Sequence, residues 1–79
     1  MTKDLVWDRR MVRFFESAAY LTEEEEIVLH DWANNHSIVN TSMLYNMSER
    51  KINNIRKTLR MKYDRVAVYT PELPKRNTR

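Results

Sequence analysis

Glycine and cysteine are both absent from the 79 residues, and proline occurs only twice. Without glycine there is no Gly-rich phosphate loop and no glycine fingerprint for a dinucleotide. Tight turns must instead rely on Asn, Asp or Ser, which tolerate turn geometry for local hydrogen-bonding reasons. Without cysteine there is neither a disulfide framework nor a thiolate metal site, which fits a reducing cytoplasm. No apolar run approaches the roughly 20 residues needed to span a bilayer. Met1-Thr2-Lys3-Asp4 also lacks the apolar segment of a secretory signal. The expectation is a cytoplasmic protein with no membrane partner. A chain this short reads as one domain over residues 1–79. Small cores without staples often gain stability by pairing with a second copy.

What is present is charge, unevenly placed. The net charge is +3. Residues 1–31 carry four basic and eight acidic side chains, and residues 32–79 carry ten basic and three acidic ones. The halves therefore stand at −4 and +7, the asymmetry of a chain with one face toward nucleic acid.

The periodicity predicts an all-α bundle of four to five helices. The first helix is expected over Asp4–Tyr20, with Trp7, Met11, Phe14 and Ala18 on one apolar stripe and Val12, Phe15 and Ala19 on a second. A surface helix needs one stripe of about 100°. This wider face predicts a helix that meets the core on one side and a second copy on the other. Trp7, Met11, Phe14 and Phe15 are the candidate interface residues.

Thr22 and Glu25 form a capping-box pair, and Glu23 to Glu26 sit where a helix dipole favours negative charge. That accounts for the acidic run without a metal or catalytic role. Val28, Leu29, Trp32 and Ala33 follow as a buried stripe, and Asn34-Asn35 should end the helix. Ser37 caps a short third helix, Ile38–Tyr45. Ser48 caps a fourth, Glu49 to about Tyr63, with Ile52, Ile55 and Leu59 inward. The five methionines read as core filler. Arg65–Tyr69 reads as either extended or a last helical turn. Residues 64–79 are expected to form an extended basic tail, ended by Pro71 and Pro74.

A short helix, a three-residue turn and a longer basic helix make a helix-turn-helix. Asn46 is expected to supply the positive φ that the turn needs. Ser42 should be the small residue where the helices cross, and Met47 the plug between them. From Leu21 to about Tyr63 the chain resembles the helix-turn-helix domains of LuxR-type regulators and of sigma-factor region 4. The matching residues are Leu21-Thr22-Glu23, Glu25, Val28-Leu29, Ser37, Met47-Ser48-Glu49, Ile52, Leu59 and Lys62. Thr41-Ser42, Tyr45-Asn46 and Tyr63-Asp64 depart from the family pattern. The resemblance implies a small DNA-binding transcriptional regulator, of the kind phages and mobile elements carry. No receiver domain is seen ahead of residue 21.

In that geometry, exposed residues early in the second helix reach base edges. Asn53, Asn54 and Lys57 are the leading candidates, with Arg50 and Lys51 beside them. Asn can pair with adenine, and Lys or Arg with guanine. Ser37, Ser48, Arg56, Arg60 and Lys62 are the candidate phosphate contacts. Trp7 and Trp32, on apolar stripes, read as core rather than base-stacking platforms. His30 and His36 do not share a helix face, so no metal site is expected. No nucleophile–base or paired-carboxylate arrangement stands out, and no enzyme, cofactor or small-molecule substrate is expected. The expected partners are double-stranded DNA and a second copy bound through the N-terminal helix. The alternative reading is a protein-interaction module, polymerase- or effector-binding, on the same scaffold.

Overall fold

The computed structural model describes residues 6–74. Four helices follow in order: α1 (Arg9–Ala18), α2 (Glu23–Ala33), α3 (Ile38–Tyr45) and α4 (Glu49–Ala67). No strand occurs among the described residues. α4 packs against each of the other three helices, and α1 also packs on α2. The architecture is a small all-α bundle organised around its last helix.

Each helix starts on a residue whose side chain satisfies an amide three positions on. Asp8 accepts from the Met11 amide at 2.8 Å, Ser37 from Asn40 at 3.1 Å and Ser48 from Lys51 at 3.1 Å. Thr22 and Glu25 form the complete reciprocal box. Such caps contribute about 1 kcal/mol each. The missing glycines are replaced by asparagine at the two places among the described residues where the backbone turns left-handed, Asn35 (φ 66°) and Asn46 (φ 54°). Both are helix ends, where asparagine's short polar side chain tolerates this region.

The core is aromatic at its centre. Trp7 lies 5.2 Å from Phe15, 5.7 Å from Trp32 and 5.5 Å from Tyr63, centroid to centroid. Val28, Leu29, Ile52 and Leu59 close around this group, all essentially without solvent contact. Trp7 and Trp32 are thus core residues, Trp32 on its expected helical stripe and Trp7 from the chain ahead of α1.

Several expectations need correction. α1 starts at Arg9, because Asp8 is the cap; Trp7 precedes the helix and enters the core from extended chain. Asp4 lies outside the described residues. At its other end α1 stops at Ala18, and Ala19 is already extended. α4 runs to Ala67 rather than Tyr63, since Val66 and Ala67 bury against the core and prolong the inward stripe. The chain after α4 is not an extended tail as far as Pro74. It turns back, buries Leu73, and places the Pro74 carbonyl where the Tyr63 hydroxyl donates to it. Residues 75–79 lie outside the described residues. Met43 and Met61 are exposed rather than core filler; each sits on a helix face with no partner element. Met1 lies outside the described residues.

Candidate nucleic-acid interface

The geometry between α3 and α4 follows from three residues. Asn46 in the left-handed region ends α3 and reverses the chain. The Ser42 hydroxyl donates to the Met47 carbonyl at 2.7 Å, and the Met47 amide donates to the Ser42 carbonyl at 3.3 Å. Ser48 then caps α4. Ser42 therefore fastens the turn. The buried residue of α3 is Thr41, whose hydroxyl is satisfied by the Ser37 carbonyl at 3.1 Å. The inward role expected of Ser42 thus falls to its neighbour. Met47 is half-buried against the core, in line with its role as a plug.

Ile52 and Leu59 are buried on the inner side of α4. Their burial forces the opposite side outward, and Arg50, Lys51, Asn53, Asn54 and Lys57 are all exposed. Lys51 reaches Glu24 of α2 at 2.6 Å, with both side chains about half-exposed. An exposed pair of that kind is worth little, so Lys51 can exchange Glu24 for another anion. Arg50 to Lys57 spans two turns, about 10 Å along the helix.

The phosphate set divides. Ser37 and Ser48 use their oxygens as caps, which leaves each hydroxyl hydrogen free to donate. Lys62 is committed to the fold. Its ammonium lies 2.6 Å from Glu25 and donates to the Tyr20 carbonyl at 2.8 Å. Burial pushes the Glu25 carboxyl up, but hydrogen bonds from Lys62 and Thr22 outweigh this and hold it below its usual range. Arg56 and Arg60 stack on Trp32, their guanidinium carbons 4.7 and 5.1 Å from the ring centroid. Arg56 also donates to the His36 carbonyl at 3.1 Å. These three cations tie α4 to α2 and to the α2–α3 corner. They sit on the flanks of α4, next to α2, so the phosphate role expected of them would compete with these contacts.

Of the interface residues expected on α1, two are taken up by the chain's own core. Phe15 and Trp7 are 0% and 7% exposed within the single chain, and Met11 and Phe14 are half-buried against the same core. Both apolar stripes of α1 are used internally except at Ala18, which is exposed, because the helix packs on α2 and α4. Its exposed residues are mostly polar, Arg9, Arg10, Arg13 and Ser17 among them. The exposed large apolar side chains lie elsewhere, on α3 (Val39, Met43, Leu44, Tyr45) and at Val6, Tyr20, Met61, Val68 and Tyr69. The sequence signal for those on α3 is that no Lys, Arg, Asp or Glu occurs between Asp31 and Glu49.

His30 pairs with Glu16 at 2.6 Å and His36 approaches Asp31 at 3.3 Å. No group of three or more His, Cys, Asp or Glu residues suited to a metal ion occurs among the described residues. No helix among them is long and apolar enough to cross a membrane. No known protein family, curated protein or solved structure matches the chain.

Proposed function

We propose that this protein binds double-stranded DNA in a sequence-dependent way and acts as a small transcriptional regulator, with α3, the Asn46 turn and α4 working as a helix-turn-helix. The observation that carries this reading is the outer face of α4. Arg50, Asn53, Asn54 and Lys57 stand exposed on its first turns, and none of these side chains bonds another described residue. Two adjacent asparagines are poor helix formers, and no fold contact requires them here. Their amides suit adenine edges, and Arg50 and Lys57 suit guanine. A helix about 10–12 Å across fits a major groove about 12 Å wide. Lys51 and the hydroxyls of Ser37 and Ser48 supply the phosphate contacts in this reading. The interaction-module alternative draws less support, since Trp7, Val12 and Phe15 are buried within the single chain.

Fluorescence anisotropy against duplex DNA at several salt concentrations tests the proposal. The affinity should fall steeply with salt, because neutralised phosphates release counterions. Asn54→Ala and Lys57→Ala should each reduce discrimination between a preferred and a scrambled duplex, by about 1–3 kcal/mol per lost base contact. Affinity that is independent of salt, or discrimination unchanged in both variants, contradicts the reading.

A further inference from the structure

We propose that the groove between α1 and α2 is a binding site for a small organic phosphate. The groove has a volume of about 460 Å³, within the range of small-molecule sites. α1 contributes Arg9, Val12, Arg13 and Glu16 to its lining, and α2 contributes His30, Ala33 and Asn34. At about 100° per residue, each set falls within one arc of roughly 100° on its helix. The two arcs face a common trough.

The side chains select an anion. Arg9 and Arg13 are exposed, and neither guanidinium pairs with another described residue. Four residues apart on a helix, their Cβ atoms stand about 5–6 Å from each other. Both guanidinium forks can therefore converge on one phosphate, whose oxygens match their geometry. The carboxylate that lines the groove, Glu16, is already engaged by His30 Nε2 at 2.6 Å. Asp8, next to Arg9 in sequence, is spent on the α1 cap. The side-chain amide of Asn34 bonds no described residue and adds further donors. Val12, 7% exposed, and the half-buried Ala33 supply an apolar wall. A bare phosphate would leave that wall unused, whereas the organic part of an ester covers it.

The position of the groove favours a small molecule over a duplex. His30 and Asn34 each stand two residues from Trp32, about 160° around α2 from it. Trp32 is the ring on which Arg56 and Arg60 of α4 stack. The groove thus opens on the side of α2 turned away from those flanks of α4. The inference does not rest on the reading of α4 as a DNA-reading helix.

Titration of the full nitrogen-15-labelled chain with phenyl phosphate, followed by amide NMR shifts, tests the site. Saturable shifts should appear at Arg9, Val12, Arg13, Ala33 and Asn34, and inorganic phosphate should bind more weakly. Arg9→Gln and Arg13→Gln should each weaken phenyl phosphate by about fivefold or more, the loss of one charge-assisted contact. Their thermal unfolding should stay close to wild type, because both residues are exposed. Arg10→Gln removes the same charge beside the groove rather than in it, and should change the affinity by less than about twofold. Shifts that do not saturate, an equal loss in Arg10→Gln, or groove shifts raised by duplex DNA and not by phenyl phosphate overturn the proposal.

Discussion

Truncating Phe15 separates a core role from a partner-facing one. The ring has no solvent contact and lies 5.2 Å from Trp7 and 5.9 Å from Tyr63. Phe→Ala in a core costs about 3–5 kcal/mol. The two aromatic contacts, each worth about 0.5–1.5 kcal/mol beyond area, place Phe15→Ala in the upper half of that range. A domain of this length has a total stability of roughly 4–12 kcal/mol, so the variant should lose about a third of it or more, and unfold at room temperature if wild type lies at the low end. Urea unfolding followed by far-UV circular dichroism, at two protein concentrations, measures this. The loss should be the same at both. Phe14→Ala, whose ring is half-buried and carries the Arg10 guanidinium 5.6 Å from its centroid, should lose about 1–2 kcal/mol. A loss below about 1 kcal/mol for Phe15→Ala, or one that disappears on raising the concentration, would refute the placement of Phe15 in the single-chain core.

Asn46→Gly should be neutral or slightly stabilising, whereas Asn46→Val should cost about 1–2 kcal/mol in thermal melts, because a branched side chain opposes the left-handed backbone. The Glu25 carboxyl is held below its ordinary value of 4.5 in the folded protein. Its contribution is therefore present above that value and lost as pH falls through the lower folded one. Glu25→Gln should be less stable by about 1–2 kcal/mol at neutral pH, and its stability curve should merge with wild type in acid. In DNA titrations, Lys57→Gln should lower the slope of log affinity against log salt by about 1. Lys62→Gln should leave that slope unchanged, since its ammonium is bound to Glu25 and Tyr20.

The local architecture was largely legible because its signals are local. Thr22 with Glu25, Ser37 and Ser48 mark three helix starts through side chain to backbone bonds spanning three residues. Asn46 marks the turn because the missing glycine leaves asparagine to take positive φ. What was not legible depended on tertiary packing. The double stripe of α1 gave no sign that two neighbouring helices would cover both sides. Val66 and Ala67 stand in the run Arg65-Val66-Ala67-Val68-Tyr69, which reads equally as strand or helix, and the core they meet makes them helical. The cations of α4 look alike in sequence. Their angular position decides that Arg56, Arg60 and Lys62 face α2 while Arg50 and Lys57 face outward. The exposed face of α3 did have a signal, in the uncharged run between Asp31 and Glu49, but exposure itself appears only once Thr41 is seen to take the inward position.

The most direct test of the central claim is selection of binding sites by the intact protein from a pool of random duplex DNA, with Asn54→Ala selected in parallel. The account predicts a recurring short motif for the wild type, with an adenine position that loses its preference in the variant. Recovery of no motif, or of the same motif with every position unchanged in Asn54→Ala, would contradict the assignment of sequence reading to the outer face of α4.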